Sequence, residues 1–223
     1  MSIEIELRYE VTNQSALQPF IDTLMFLNKK QVIDVYFDTK DALLSKRGIY
    51  IRLRNNKTVD IKFNRACLHD ANLEIQSYCE EYSFTLPLTA ESLPKFNQIN
   101  AELDLFTVAS PDFALYLELN KFIEHRIVDK IRSSYKADQF IVVLDIVKNL
   151  GPFLEIELVT KDRDSISSTT AYMQEILKGL PVKPLKTGYD SLILRKQNFQ
   201  QYLQSRFVLK EDKALKNNLS LLP

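Results

Sequence analysis

The chain has 223 residues, 45% of them hydrophobic, which suits one moderately large domain with a sizeable core. Lys and Arg number 29 and Asp and Glu number 29, so the formal net charge is zero and there is no overall basic excess to favour nucleic acid or an anionic membrane. No apolar run approaches the roughly 20 residues needed to span a bilayer, the N-terminus lacks a signal-peptide layout, and Cys67 and Cys79 form no close metal-type pair.

A cytoplasmic protein with reduced thiols is therefore expected. Any anion site must come from a local concentration of basic groups. His69 and His125 are isolated in sequence, which argues against a zinc site or a Ser-His-Asp triad.

In chain order, the first segment is Ile3-Glu4-Ile5-Glu6-Leu7-Arg8. Successive side chains of a strand point to opposite faces, so Glu4, Glu6 and Arg8 share one face and Ile3, Ile5 and Leu7 the other. A strand over 3–11 is expected, followed by a helix capped at Asn13 or Ser15 and running to about Asn28, with Leu17, Phe20, Ile21 and Leu24 on one stripe. The next strand, 32–39, alternates Tyr36 and Asp38 with Val35 and Phe37. A short helix, 41–47, is stopped by Gly48.

Strands follow at 49–55 and 58–64, where Tyr50, Arg52 and Arg54, then Asp60 and Lys62, alternate with apolar residues. A strand at 78–86 pairs Glu81 and Ser83 on one face. Helices over about 89–106 and 111–121 separate five strands from three more, at 124–136, 139–148 and 152–161. The last of these, Phe153-Leu154-Glu155-Ile156-Glu157-Leu158, echoes the opening segment. Helices over 165–180, capped by Asp164 or Ser165, and about 188–207 complete a single domain, 1–207, ahead of a loose tail, 208–223.

Taken alone, each strand is an ordinary half-exposed strand, and a small barrel normally fills its interior with apolar side chains. Here, however, several amphipathic helices need an apolar partner, and the apolar strand faces supply one. The expected fold is therefore an α+β eight-stranded antiparallel barrel, apolar outside beneath helices and charged inside. Burying many charges is tenable only where they are paired, wet or occupied, so a charged lumen is a binding site. Two Glu on one strand face lie about 7 Å apart, and two such pairs can converge on a divalent cation. All-oxygen ligands favour Mg²⁺ or Mn²⁺ over zinc. The cations Arg8, Arg52, Arg54, Lys62, Lys130 and Arg132 suit a chain of phosphates.

Glu4-x-Glu6-x-Arg8, Tyr36-x-Asp38-Thr39, Gly48-Ile49-x-Ile51-Arg52-x-Arg54, Lys62, Lys130-x-Arg132 and Phe153-Leu154-Glu155-Ile156-Glu157 occur in an order that resembles the CYTH family, or triphosphate tunnel metalloenzymes. That family includes thiamine triphosphatases, inorganic triphosphatases and class IV adenylate cyclases. The resemblance spans about residues 3–195. It implies metal-dependent chemistry on a small-molecule triphosphate, with Glu4, Glu6, Glu155 and Glu157 in the metal group and Glu81 and Asp145 as further acidic positions. By the same resemblance Arg52, Arg54, Lys62, Lys130, Arg132 and Lys186 hold phosphates, and Glu4, Glu6, Arg8 and Lys62 surround the reaction. For Glu81 a surface position beside Glu80, and for Asp145 a hydrogen-bonded place within the apolar run 140–147, are the ordinary readings of the residues themselves.

Two departures stand out. The family's opening motif usually ends in Lys, whereas Arg8 stays cationic and cannot readily serve as a base. Ser83 stands where many relatives have a second Glu, which weakens a second metal site. Hydrolysis of a triphosphate is the expected function; cyclisation of ATP and non-catalytic binding of polyphosphate or nucleotide are the alternatives.

Overall fold

Period-two alternation of apolar and charged residues organises the molecule. In the computed structural model, which describes residues 3–70 and 72–219, the strands are β1 (Ile3–Val11), β2 (Met25–Asp38), β3 (Ile49–Arg54), β4 (Thr58–Phe63), β5 (Tyr78–Thr85), β6 (Ile123–Ala137), β7 (Phe140–Val147), β8 (Gly151–Thr160) and β9 (Val182–Leu185). The first eight form a closed antiparallel barrel in the order β5-β4-β3-β2-β6-β7-β8-β1, with β1 returning to β5. The closing seam is divided. One edge of β1 pairs with β8 along nearly its whole length, while the other is shared between β5, through Ile3↔Glu80 to Ile5↔Tyr78, and β9, through Arg8↔Leu185 to Val11↔Val182.

The outward faces of the strands are apolar and most are covered. Ile49, Ile51, Val59 and Ile61 pack beneath α4 (Leu93–Glu102) and α5 (Phe113–Leu119), whose Phe96, Ile99 and Tyr116 complete one core. Ile3, Ile5, Leu154 and Ile156 pack against Leu17 and Ile21 of α1 (Gln14–Asp22) and Met173 and Leu177 at α6 (Ile166–Ile176). Each such side chain contributes about 1.5–3 kcal/mol on full burial, and this fixes the register, since a one-residue slip would turn every charge outward. The β2-β6-β7 wall is the exception: Ile33, Ile127, Ile131 and Ile146 on it remain substantially exposed.

The expected strands all form, with differences at their ends. The first helix ends at Asp22 rather than near Asn28, and residues 25–28 begin β2, which pairs Met25 with Lys136 and Phe26 with Tyr135 on the long β6. Asn28-Lys29-Lys30-Gln31 is polar on both faces, so alternation gives no sign of a strand there. Asn13 caps α1 by accepting from Ala16 N, and α2 (Leu43–Arg47) ends on Gly48 at φ 71°. A Cβ on Gly48 would stand 2.9 Å from Arg206 Cδ, so this position serves both a left-handed turn and a close crossing by the C-terminal segment.

The helix expected over 89–106 is shorter, ending before Asp104, which has φ 55°. The one expected over 165–180 ends at Ile176, and Ser165 occupies its N-cap position without a side-chain capping bond. The single helix expected over 188–207 is two, α7 (Tyr189–Gln197) and α8 (Phe199–Gln204), because Asn198 leaves helical geometry and caps α8 through Gln201 N. Two short elements are additional: α3 (Arg65–His69), capped by Asn64, and β9, which contains Pro184 and is too short to show alternation.

The tail is not loose over its described part. A 3-10 turn, Lys210–Asp212, leads into α9 (Lys213–Leu219), and buried Asp212 accepts hydrogen bonds from Arg195 Nε at 2.7 Å and Tyr202 OH at 3.0 Å. Residues 1 and 2 of the expected domain and 220–223 of the expected tail lie outside the described residues. Among the described residues no helix is long and apolar enough to cross a membrane.

Candidate active site

Glu4, Glu6 and Arg8 project from β1 into the barrel because their neighbours Ile3, Ile5 and Leu7 face the outer helices. Antiparallel pairing sets Glu6 directly opposite Glu157 and Arg8 opposite Glu155 on β8. Carboxylate oxygens of Glu6, Glu155 and Glu157 come within 4.8 Å of one another. Arg8 donates to both Glu6 and Glu155; Arg132 from β6 donates to Glu155 and, at 3.4 Å, to Glu157.

Burial and the neighbouring carboxylates raise Glu6 to about 8 and Glu157 to about 7, against the pull of Arg8 and Arg132 respectively. Glu155 is equally buried, but Arg8, Arg132 and Lys130 together outweigh that burial and hold it well below the usual carboxylate range. The cluster is thus acidic and crowded, and its two guanidinium partners, Arg8 and Arg132, satisfy Glu155 while leaving Glu6 and Glu157 raised. Three convergent carboxylates of this kind are a hard-cation donor set, so the residues present fit a divalent metal.

Glu4, Glu81 and Asp145 lie outside that cluster. Glu4 accepts from Lys62; burial alone would raise it, but the ammonium prevails and lowers it to about 2. Glu81 lies 3.3 Å from Lys62 Nζ and 3.4 Å from Arg52 Nη2. Asp145 is fully buried, taking Lys130 Nζ at 2.8 Å and the Arg132 fork at 2.9 and 2.7 Å, so it anchors the basic pair.

Further cations line the same cavity. Arg52 bonds Asp60 at 2.9 Å, and Ser83 Oγ donates to the other Asp60 oxygen at 2.7 Å, so Ser83 serves the ring of charges through Asp60. Arg54 grips Asp34 through Nε at 2.7 Å and Nη2 at 3.1 Å. Lys186, just after β9, lines the cavity at an exposed position. Glu4, the carboxylate cluster and these cations line one cavity of 830 Å³.

Sequence reasoning gave Asp34 and Asp60 no role in the site, although Asp34 shares its strand face with Tyr36 and parity alone places it inside. The stretch from Lys186 to Tyr189 resembles the family's closing Lys/Tyr region only loosely, and it too lines the cavity; Lys210 and Lys213 from the C-terminal segment, for which no local pattern exists, were overlooked as lining groups.

The model of the CYTH domain matches residues 2–187, most of the chain. The chain belongs to the CYTH family. CYTH proteins are metal-dependent, in keeping with the acidic cluster. Among solved structures, a Pyrococcus horikoshii protein superposes with a TM-score of 0.58 at 22% identity, over 87% of this chain and 99% of that one. A Vibrio parahaemolyticus protein described as a candidate adenylate cyclase gives 0.55 at 19% identity, over 84% and 95% of the two chains. A Hippeastrum protein, described as a candidate adenylyl cyclase with a dominant triphosphatase activity, gives 0.56 at 18% identity, over 90% and 99%. At these identities the likeness establishes the fold. No curated protein matches the chain.

Proposed function

We propose that this CYTH protein hydrolyses a small-molecule triphosphate in its barrel, using Mg²⁺ or Mn²⁺. The observation that carries the proposal is the juxtaposition, in one cavity, of the Glu6-Glu155-Glu157 cluster with a group of cations. Glu6, Glu155 and Glu157 would hold the ion, which when bound neutralises phosphoryl oxygens and polarises the phosphorus they surround.

The remaining steps belong to side chains of the chain itself. Arg52 and Lys62, together with Arg132 and Lys130, bind the phosphate oxygens. They are already positioned by Asp60, Glu4 and Asp145, so little reorganisation accompanies binding. Arg54 is tied to Asp34 at the end of the same row, and Lys186 meets the outer end of the ligand.

Arg8 stays cationic beside Glu6 and Glu155, so it supports charge rather than taking a proton. Glu4 is the ionised carboxylate left on the same strand face, and we assign it the orientation of the attacking water. A weak base suffices there, because phosphoryl transfer proceeds through a loose transition state in which positioning dominates.

A product assay tests this reading. Purified protein is offered inorganic triphosphate, thiamine triphosphate and ATP, each with Mg²⁺ or Mn²⁺, and phosphate, pyrophosphate and cyclic AMP are resolved. Phosphate release that chelation abolishes is the expected result. Cyclic AMP as the main product, or saturable binding without any product, would replace hydrolysis with cyclisation or with binding alone.

A further inference from the structure

Between β9 and α7 the chain passes along the cavity wall as a short strap, Lys186-Thr187-Gly188-Tyr189. Thr187 is 3% exposed and Tyr189 5%, yet Thr187 Oγ1 and Tyr189 OH have no hydrogen-bond partner among the described residues. A buried hydroxyl left unpaired costs free energy, and folded proteins retain few of them without a reason. Both residues line the cavity that holds the acidic cluster and the cations.

The strap is held firmly in place. Arg8 Nη1 donates to Thr187 O at 3.0 Å, and the Arg8 guanidinium carbon lies 4.6 Å from the centre of the Tyr189 ring. Lys130 Nζ lies 4.8 Å from the same ring centre, and Phe153 packs on the ring at 4.8 Å between centroids. A Cβ at Gly188 would come 2.3 Å from Asp190 Oδ1, so the backbone between the two hydroxyl residues has no room to spare. The cation–π contacts of Arg8 and Lys130 fix the ring while leaving its hydroxyl uncommitted. Burial, reinforced by the charge of Glu155, keeps the phenol protonated and therefore able to donate.

We propose that Thr187 and Tyr189 form a hydroxyl subsite that donates hydrogen bonds to phosphate oxygens of the ligand beside Arg8 and Lys130. The inference rests on the triphosphate reading given above and adds two neutral donors to a site otherwise described by its charges. The acceptor is an anion because Arg8 and Lys130 both approach the ring, while nearby Glu155 and Asp145 already accept from Arg8, Lys130 and Arg132. Thr187 and Tyr189 are binding residues that approach the ligand from the strap, opposite no strand of their own.

The test uses the full chain with Mg²⁺ and imidotriphosphate, a non-hydrolysable triphosphate. Binding is followed by calorimetry and the ligand-free melting temperature is recorded for the unaltered protein, Tyr189→Phe and Thr187→Val. Tyr189→Phe is expected to weaken binding about 10-fold, as loss of a hydrogen bond to a charged group does, and Thr187→Val to weaken it in the same direction. Neither should lower the ligand-free melting temperature, since neither hydroxyl has a partner to lose among the described residues. Equal affinity in all three proteins, or a lowered ligand-free melting temperature with affinity unchanged, overturns the subsite. Failure of the unaltered protein to bind imidotriphosphate overturns the triphosphate reading itself.

Discussion

Glu6 and Glu157 stand directly opposite each other on the β1-β8 ladder, and both carry carboxyl groups raised toward neutrality, to about 8 and about 7. Like charges facing each other across a ladder are destabilising. Ionised together, Glu6 and Glu157 would repel, and under the proposed function a divalent cation relieves that repulsion.

Proton and metal therefore compete for the cluster. A divalent cation takes ionised carboxylates, so its binding must displace protons that Glu6 and Glu157 retain near neutral pH. Apparent affinity for Mg²⁺ or Mn²⁺ should rise between pH 6 and pH 8, the window set by folded values of about 7 and about 8. Calorimetry in two buffers of different ionisation enthalpy should register proton release at pH 7. Affinity that is flat across the window would show that the ion does not engage this cluster.

Glu6→Gln separates function from stability. It removes a donor atom from the cluster and should lower kcat on the order of 100-fold, the scale seen when one preorganised charge-stabilising group is lost. Without metal the fold should not suffer. An acid whose folded pKa lies above its unfolded value destabilises the fold as pH rises, since the unfolded chain gives up the proton first. For Glu6 this runs from the ordinary 4.5 to about 8. At pH 7 the ligand-free melting temperature of Glu6→Gln should accordingly equal or exceed that of the unaltered protein, and a clear decrease would mean that Glu6 braces the barrel through Arg8.

Asp34 has the opposite linkage. Burial alone would raise its pKa, but Arg52 and Arg54 prevail and lower it from 3.8 to about 2. Its contribution to stability is full above the unfolded pKa and is lost as pH falls from there toward 2. Asp34→Asn should destabilise the protein by about 3 kcal/mol at neutral pH, because it leaves buried Arg52 and the partly buried Arg54 short of an anion. The difference from the unaltered protein should shrink in urea unfolding curves recorded at progressively lower pH. A difference that does not change with pH would remove the ion pair as its cause.

The barrel and its charged interior were legible because period-two alternation is a local property. Ile51-Arg52-Leu53-Arg54 states which side chains face in without reference to any other strand. Convergence is not local. That Glu6 meets Glu155 and Glu157 while Glu4 meets Lys62 depends on β1 pairing with both β8 and β5, a register that no segment carries by itself. The C-terminal segment illustrates the same limit. Its anchorage combines Val208, packed against Leu194, Tyr202 and Leu203, with polar contacts of Asp212 and Lys213 to Arg195, Tyr202 and Glu74, and one apolar residue with such contacts leaves no hydrophobic period to read.

Arg52 offers the cleanest test of geometry against charge. Its Nε bonds Asp60 at 2.9 Å, while Nη1 reaches Tyr36 OH and Nη2 reaches Glu81, each at 3.4 Å. A guanidinium divides these duties because its donors are fixed in a planar fork, which an ammonium cannot reproduce. Arg52→Lys keeps the charge and should still raise KM for the triphosphate about 10-fold, the cost of one hydrogen bond to a charged partner. Since Lys would also loosen Asp60, which Ser83 Oγ holds at 2.7 Å, the melting temperature should be recorded alongside. Ser83→Ala disturbs Asp60 without touching Arg52 and separates the two effects. If it reproduces the KM increase, Arg52 acts by positioning Asp60; if KM stays near that of the unaltered protein while Arg52→Lys raises it, the fork itself grips phosphate.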